Sequence, residues 1–484
     1  MRRAVAPLLA LLTGVMLAAC TTIPATGESA FTLMSPAQEA AIGREEHPKL
    51  LAAMGGAYDE RPALSRYVAG IGHRLQAVSE MPAPPFTFTI VNSEQINAFA
   101  LPGGYVYVTR GLMALANSEA ELAGVLAHEI GHVTARHTAQ RYTRGVFAEL
   151  GAAVLGTATG SRAVSQLARV GAAAYVQSFS RAQELQADEL GIRYLARAGY
   201  DPRAMARFLT VMERQSALAR KIAGRQGTEP AASLFSSHPR TAIRVAQAAD
   251  LAARTPPGGA WTVNAEPYLL ILDGTLWGDD PAQGLRRGRV FAHPKLGFRF
   301  EVPPGFHLVN TPRAVIATRR DGAAIKFDGA RVRGDVGRYL LDTWMAGLGP
   351  RDFERIDVNG MATATAVARA NTRSGPRDVR GIVIRFDAET VYRFLILTPP
   401  RLTAALNVPL RRMTFSFRRL SAAEIAALKP LRVVTHRVAP GETVAALAAG
   451  LPFQDFREQR LRVLNGLAPR EEPAPGRLIK LIAE

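Results

Sequence analysis

The sequence has a single cysteine, Cys20, among its 484 residues, so an intrachain disulfide is excluded. It also lacks a run of lysine and arginine interleaved with aromatic residues, although its formal net charge is +18. We therefore expect no nucleic acid as a partner, and a solvated basic surface or an anionic lipid accounts for the charge. No segment repeats with a period of about 20 to 50 residues, which excludes a solenoid.

The first residues have the pattern of an export signal. Two arginines precede an apolar stretch from Ala4 to Leu17, which is too short to span a bilayer comfortably as a mature helix. The small residues before Cys20 resemble the lipobox of bacterial lipoproteins, in which the signal is removed and the cysteine is lipid-modified. The alternative is a signal anchor with an incidental cysteine. The resemblance implies lipidation of Cys20 and, because Thr21 follows, an anchor in the outer membrane.

The length of the chain predicts several domains, and the fold class that we expect is multidomain α+β. Stretches such as GFRFEVPPGF and GIVIRF alternate apolar and polar residues between Gly/Pro turns, which is typical of strands. The Pro/Gly-rich segment from Ala252 to Ala260 indicates a boundary. We predict four parts: a signal peptide over 1–20, a mainly helical domain with a small β-sheet over 30–255, a β-rich domain over 260–420, and a small terminal domain over 432–484.

One helix is predicted firmly, and two strands precede it. The stretch from Asn97 to Thr109, NAFALPGGYVYVT, indicates strand, turn and strand. Ser118 followed by Glu121 is a capping-box signature for the start of a helix. Apolar residues then recur at helical spacing and define a buried face. They are Leu122, Leu126, Ile130 and Val133.

This helix carries the stretch HEIGH, in which His128 and His132 are four residues apart. One helical turn brings the two imidazoles onto the same face, where both can bind one tetrahedral zinc ion. Glu129 lies beside them and can reach a metal-bound water, as in the H-E-x-x-H arrangement. The alternative is an ordinary helix with two surface histidines. His137 lies outside this spacing, and we expect it to face away.

A catalytic zinc ion usually takes three protein ligands, so a third residue is expected elsewhere. The stretch SRAQELQADELG, from Ser180 to Gly191, has helical character. It places Glu184 and Asp188 four residues apart on one face. Glu184 is the candidate third ligand, and Asp188 can accept a hydrogen bond from the distal N–H of one histidine. Taken alone, this pair would indicate only a solvated helix face.

HEIGH followed by SRAQELQAD resembles the CAAX-prenyl-protease and HtpX family of zinc metallopeptidases, which are gluzincins with a zincin-like domain. The resemblance covers about half of the chain, roughly residues 30–250. It implies one Zn²⁺ per chain, bound by His128, His132 and Glu184. It further implies that Glu129 is the general base and that Asp188 orients a ligand.

Two further features belong to the same resemblance. The strand with Asn97, Ala98, Phe99 and Ala100 is similar to the family's strand that pairs with extended substrate, a form of β-augmentation. The better-known members are polytopic, but the apolar segment from 150 to 161 is too short to cross a membrane. The chain is therefore similar to the soluble periplasmic branch, the BepA-like proteases.

In that branch a His-Pro motif contributes a histidine near the metal, which here is His238. Two roles are open for His238: it stabilises the oxyanion of the intermediate, or it ligates zinc, displaces the water and holds the enzyme latent. A third reading is a helix-capping histidine before Pro239.

The terminal region over 432–484 resembles a LysM module, a small βααβ unit. The resemblance rests on the turn Pro440-Gly441-Glu442-Thr443, on Asn465-Gly466 and on Pro475-Gly476. It implies binding to N-acetylglucosamine polymers such as peptidoglycan, although many such modules only dock proteins. Residues 260–420 carry no motif that we can tie to chemistry.

These features favour a lipid-anchored periplasmic zinc metalloendopeptidase whose substrates are unfolded or misassembled envelope and outer-membrane proteins. One alternative is a cell-wall hydrolase, because LysM modules often accompany enzymes that cut the wall. The other is a latent or non-catalytic scaffold with chaperone-like character. Glu129 argues against the scaffold, since a structural zinc site needs no general base.

Overall fold

The computed structural model describes residues 20–144, 179–222, 224, 238, 242–256, 259–372 and 375–484. The chain forms two compact units, one up to Gly278 together with Arg432–Ala483, and one of Asp279–Leu431 with Glu484. Residues 1–19 of the predicted signal peptide and the apolar segment 150–161 lie outside the described residues. No helix in the described part of the chain is long and apolar enough to cross a membrane.

The first unit is mainly helical, and the part of it that precedes the second unit has two small sheets among its described residues. Its helices before the second unit are α1 (Pro36–Ala53), α2 (Pro62–Ala77), α3 (Arg110–Leu115), α4 (Glu119–Thr134), α5 (Arg181–Arg197), α6 (Arg203–Ile222), α7 (Ala242–Arg254) and α8 (Ala265–Leu272). Its strands there are β1 (Cys20–Thr22), β2 (Ser29–Phe31), β3 (Thr87–Val91), β4 (Ala98–Leu101) and β5 (Tyr105–Thr109). Strands β1 and β2 pair with each other.

The other sheet has the order β3-β5-β4. Strands β4 and β5 form the predicted antiparallel hairpin, and the turn between them places Gly103 and Gly104 at φ of 81° and 83°. Strand β5 also pairs in parallel with β3. Strand β4 therefore has only one partner among the described strands, so its other side is a sheet edge.

Helix α4 lies in the middle of the core, and most of its side chains are buried. Ser118 caps it, because the Ser118 hydroxyl accepts a hydrogen bond from the Glu121 N–H at 3.1 Å. The Glu121 carboxylate accepts from the N–H of Asn117 at 2.8 Å instead of from Ser118. Only one of the two hydrogen bonds of a capping box is therefore formed. The carboxylate of Glu121 binds the backbone of Asn117, one residue before the N-cap, instead.

Two glycines allow α4 and α5 to pack closely. A Cβ atom at Gly131 would lie 3.1 Å from the carbonyl oxygen of Ala187 on α5. A Cβ atom at Gly191 would lie 3.1 Å from the backbone nitrogen of His128 on α4. These distances are shorter than ordinary contacts, so larger residues would push the helices apart. The absence of two side chains thus brings the HEIGH stretch next to Glu184 and Asp188.

The second unit is β-rich and has two antiparallel sheets. The seven-stranded sheet has the order β12-β13-β14-β15-β11-β10-β9, and the four-stranded sheet has the order β16-β8-β7-β6. The strands are β6 (Leu285–Arg287), β7 (Val290–His293), β8 (Phe298–Glu301), β9 (His307–Thr311), β10 (Ala314–Thr318), β11 (Ala324–Arg331), β12 (Arg351–Val358), β13 (Met361–Thr372), β14 (Gly375–Arg385), β15 (Thr390–Thr398) and β16 (Arg418–Arg419).

Helices and an aromatic core complete the second unit. Its helices are α9 (Val336–Arg338), α10 (Pro400–Ser416) and α11 (Ala422–Ala427). The main core is rich in phenylalanine: Phe291, Phe298, Phe300, Phe327, Phe394 and Phe417 are all buried. Residues 265–272, which the sequence assigned to the β-rich domain, instead form α8 in the first unit.

The terminal region has the order strand, helix, helix, strand and belongs to the first unit. Its elements are β17 (Arg432–Arg437), α12 (Val444–Ala449), α13 (Arg457–Leu464) and β18 (Leu478–Ala483), and β17 pairs with β18. The N–H of Val433 donates to the Thr275 carbonyl at 2.8 Å, and the Gly274 N–H donates to the Val433 carbonyl at 2.8 Å. Backbone hydrogen bonds therefore attach this region to the segment that follows α8.

A buried lysine adds a second attachment. The Lys480 ammonium on β18 is fully buried and donates to the carbonyls of Ala114 at 2.8 Å and Ala116 at 2.6 Å. These carbonyls lie at the C-terminal end of α3, where a cation is favourable. Burial lowers the pKa of Lys480 to about 7. The terminal region is thus built into the core of the first unit.

We expect Lys480→Met to lower the free energy of unfolding by about 2–4 kcal/mol, because it leaves buried carbonyls without a donor. Denaturant unfolding of the full chain measures this. Lys221→Met, which changes an exposed lysine at the end of α6, should leave the midpoint unchanged. Equal midpoints for the two variants would contradict the role assigned to Lys480.

Candidate metal centre

Four buried side chains converge on one point between α4, α5 and residue 238. His128, His132, Glu184 and His238 each offer one ligand atom, and these atoms all lie within 4.8 Å of one another. The Nε2 atoms of His128 and His132 are 3.1 Å apart. His238 Nδ1 lies 3.3 Å from His128 Nε2 and 3.0 Å from a Glu184 oxygen. Three helical residues and one residue outside the described helices thus form a single cluster.

These distances fit a zinc ion. Zinc bonds of about 2.0–2.1 Å in a tetrahedral arrangement separate the ligand atoms by about 3.3 Å. Four of the separations between ligand atoms are close to this value, from 3.0 Å between His238 Nδ1 and Glu184 Oε1 to 3.5 Å between His132 Nε2 and Glu184 Oε1. Imidazole nitrogens and a carboxylate oxygen are also the ligands that zinc takes in proteins.

A carboxylate and an arginine hold His128 in place. His128 Nδ1 lies 2.8 Å from Asp188 Oδ1, so that Nε2 faces the cluster. The Arg244 guanidinium donates two hydrogen bonds to Asp188, at 2.6 Å and 2.7 Å. It also lies 2.6 Å from Glu184 Oε2. Arg244 therefore orients both Glu184 and Asp188 through one rigid guanidinium fork.

His132 is held by two side chains behind it. His132 Nδ1 lies 2.8 Å from His137 Nδ1, and His137 Nε2 lies 2.9 Å from the Gln186 amide oxygen. The amide oxygen only accepts, so His137 carries its proton on Nε2 and accepts from His132 with Nδ1. This assignment leaves the lone pair of His132 Nε2 directed at the cluster. Burial lowers the pKa of His137 to about 4, which keeps it neutral.

The expectation that His137 faces away is wrong. Helix α4 ends at Thr134, and Arg136 adopts the left-handed conformation with φ of 54°. The chain therefore turns after the helix and brings His137 back behind His132, where it is fully buried. A helical extrapolation from HEIGH would miss this contact.

The protonation of the ligands is governed by burial and by their neighbours. Burial lowers the pKa of His132 well below its usual value, so this imidazole is neutral. Burial also opposes the charged form of His128, but the hydrogen bond and the charge of Asp188 raise its pKa to about 9. Burial alone would raise the pKa of Glu184. The neighbouring histidines, above all His238, outweigh it and lower the pKa of Glu184, so the carboxylate is ionised.

Glu129 stands beside the cluster without belonging to the four donors. Its side chain is buried, and one oxygen, Oε2, has no hydrogen-bond partner among the described residues. Its other oxygen lies 3.6 Å from His238 Nε2. Burial raises the pKa of Glu129. A carboxylate in this environment can take up a proton more readily than one in water.

His238 lies between Glu129 and the other three donors. It turns Nδ1 towards Glu184 and the two helix histidines and Nε2 towards Glu129. Its ring is 2% exposed, which shows that it fills the cluster rather than caps a helix at the surface. In this arrangement His238 is the fourth potential donor of the cluster.

The candidate substrate strand lies against the same helix. Ala98, Phe99 and Ala100 belong to β4, which packs on α4, and Asn97 comes directly before it. The Asn97 amide oxygen is buried and has no hydrogen-bond partner in the described part of the chain. Among the described strands, β4 is an edge strand of its sheet, which is the position that β-augmentation requires.

Two residues that contact the ligands escaped the sequence reasoning. The Phe179 ring stacks on His132, with 3.9 Å between the ring centroids. Arg244 supports Asp188 and Glu184, as described above. Arg244, Ala248 and Ala252 are the buried residues of α7 and recur every four positions. That spacing is the signal that could have shown an arginine on a buried helix face.

The comparisons with known proteins agree with this geometry. Residues 62–252 match the model of peptidase family M48. The chain is 34% identical over 259 residues to the beta-barrel assembly-enhancing protease of Yersinia pestis, covering 51% of this chain and 50% of that protein. It is 34% identical over 197 residues to the protein of that name from Escherichia coli strain K12, covering 39% and 40%.

A mitochondrial protein is also similar. The mitochondrial metalloendopeptidase OMA1 of Arabidopsis thaliana is 34% identical over 164 residues, covering 34% of this chain and 31% of that protein. The chain thus spans about half or less of the length of these curated relatives.

Proposed function

We propose that the chain is a zinc-dependent metalloendopeptidase, because residues 62–252 match the model of peptidase family M48. Its proposed substrates are unfolded or misassembled proteins of the bacterial envelope, including outer-membrane proteins. The single observation that carries the proposal is the cluster of His128, His132, Glu184 and His238 beside the buried Glu129. Three ligands and one exchangeable position are the arrangement of a catalytic zinc site.

The residues of this chain divide the work of peptide hydrolysis. Zinc, when bound by His128, His132 and Glu184, supplies a Lewis acid and lowers the pKa of a water near it. Glu129 accepts the proton of the attacking water and delivers it to the leaving amine. Asp188 and Arg244 keep the His128 ring in the orientation that ligation needs.

The edge of β4 supplies the proposed contact with substrate. An extended peptide that pairs with Ala98, Phe99 and Ala100 receives backbone hydrogen bonds, which carry little sequence preference. Unfolded segments offer an extended backbone, whereas folded proteins do not. Selection by backbone pairing therefore suits a protease that removes misassembled proteins.

We assign a latent resting state to His238, because its Nδ1 takes the corner of the cluster that a water needs. We expect His238→Ala to cut unfolded casein faster than the wild type when both are loaded with zinc. If about nine molecules in ten of the wild type are in the closed, inactive arrangement, its loss makes all molecules active and raises the cleavage rate about tenfold. A chelator should abolish cleavage by both proteins, and added zinc should restore it.

The matched control is His73→Ala, which removes an exposed histidine on α2 and should cut at the wild-type rate. If His238→Ala is slower than the wild type, His238 stabilises the transition state instead and the latent state is wrong. If neither the wild type nor His238→Ala cuts casein while both hold zinc, the proposed protease activity is wrong.

Location and wall binding complete the proposal. The sequence pattern before Cys20 supports export, a lipid on Cys20 and anchoring in the outer membrane, facing the periplasm. The βααβ order of residues 432–483 supports a LysM-like module that binds peptidoglycan. Since this module is attached to the peptidase unit through Lys480 and Val433, wall binding would hold the protease itself close to the wall.

A further inference from the structure

A cavity in the second unit lies outside the region that matches the peptidase family. It is formed between one face of the seven-stranded sheet and helix α10, and its volume is about 630 Å³. Volumes of about 300–1,000 Å³ are typical of sites for small molecules. All residues that line it belong to Asp279–Leu431, so it is a feature of this unit alone.

The floor of the cavity is a cross-strand row of side chains. Val367 on β13 pairs with Arg380 on β14, which in turn pairs with Ile396 on β15. Residues directly opposite each other in this way lie side by side on one sheet face. Ile382, two residues beyond Arg380, continues the apolar floor, and Leu410 of α10 faces it from above. One arginine is thus set among aliphatic side chains.

The acidic side chains that line the cavity do not form an ion pair with Arg380. Asp378 is already bound by Arg369 at 2.9 Å and by the Thr403 hydroxyl at 2.7 Å. Asp352 and Glu354 are exposed on the edge strand β12, where exposed Arg351 stands beside them. Arg380 is partly buried and makes no ion pair with any described residue. A cation in a partly apolar cavity without a counter-ion favours an anionic ligand.

A hydroxyl without a partner lies in the same cavity. Thr365 is 3% exposed and lines the cavity, and its Oγ1 has no hydrogen-bond partner among the described residues. It pairs across the strands with Ile382, next to the row that contains Arg380. A buried hydroxyl is normally hydrogen-bonded, so an acceptor or donor from outside the chain is expected.

We propose that this cavity binds a small amphiphilic anion, with a carboxylate or phosphate head group on an aliphatic tail. Arg380 and the Thr365 hydroxyl hold the head group, and Val367, Ile396 and Leu410 contact the tail. Fatty acids and lipid phosphates share this chemistry. The site is independent of the proposed peptidase activity, because it uses none of the metal-cluster residues.

Calorimetric titration of the full chain tests the proposal with four probes that have the same tail, each below its micelle concentration. The probes are decanoate, decyl phosphate, decyltrimethylammonium and decyl glucoside. We expect the two anions to bind and the cationic and neutral probes to bind at least about tenfold more weakly, as loss of a charged contact implies. Tighter binding of decanoate points to a fatty acid as the natural ligand, and tighter binding of decyl phosphate points to a lipid phosphate.

Three variants place the ligand in the cavity. Arg380→Gln should weaken anion binding by about tenfold or more, whereas Arg412→Gln, which changes an exposed arginine elsewhere on α10, should not. Thr365→Val should also weaken binding without lowering the melting temperature, because it removes a hydroxyl that has no partner. Equal binding of all four probes, no binding at millimolar concentration, or wild-type affinity in Arg380→Gln would overturn the proposal.

Discussion

We expect Glu129→Gln to abolish cleavage of unfolded casein while the protein keeps its zinc. Glutamine has nearly the shape of glutamate but cannot accept the proton of the attacking water, so we expect a loss of about 10²–10⁴-fold. Zinc content stays the same, because Glu129 is not among the four clustered donors. The measurement is the initial rate of casein cleavage together with the zinc stoichiometry of each protein.

The comparison is made in two backgrounds, since the wild type is proposed to be latent. Glu129→Gln is introduced into the wild type and into His238→Ala. Each of the two resulting proteins is assayed beside its parent with saturating zinc. Glu189→Gln is the matched control, because Glu189 is an exposed residue of α5. Cleavage by Glu129→Gln at the rate of its parent would remove Glu129 from the mechanism.

Arg244→Leu is expected to weaken zinc binding by about 10–100-fold, the cost that residues supporting a ligand usually show. Without the fork of Arg244, Asp188 loses two hydrogen bonds and Glu184 loses its contact at 2.6 Å. The free energy of unfolding should fall by about 3–5 kcal/mol, because two buried carboxylates lose their cation. Competition with a fluorescent chelator measures the zinc affinity.

A second variant and a control separate the effect of geometry from that of charge. Arg244→Lys keeps the charge but cannot make the bidentate contact, so we expect it to recover stability better than zinc affinity. Arg254→Leu is the control. Arg254 belongs to the same helix as Arg244, but it pairs with Asp250 at 2.8 Å on the surface. If Arg244→Leu and Arg254→Leu bind zinc equally well, the support assigned to Arg244 is wrong.

The sequence was informative wherever the relevant contacts lie within one element. The start of α4 at Ser118, the shared face of His128 and His132, and the spacing of Glu184 and Asp188 all follow from helical periodicity. The β4–β5 hairpin follows from strand patterning around a glycine turn. These features need no knowledge of the neighbouring elements, and the structure contains each of them.

The remaining contacts depend on turns between elements or on how elements pack together, and periodicity does not report on either. The parallel pairing of β3 with β5 and the contact of Arg244 with Asp188 depend on how elements pack. His137 depends on the turn at Arg136, whose left-handed conformation is unusual for arginine. A lysine is usually expected at the surface, yet the carbonyl groups that accept from Lys480 lie 364 to 366 residues away along the chain.

Anomalous diffraction at the zinc absorption edge shows whether zinc binds between α4 and α5. We predict one strong peak per chain, about 2.0–2.2 Å from the Nε2 atoms of His128 and His132 and from a Glu184 oxygen. In His238→Ala the zinc ion should keep these three ligands, and its fourth coordination position should be free of protein side chains. A well-ordered cluster without a zinc peak, or a peak bound by other residues, would contradict the account.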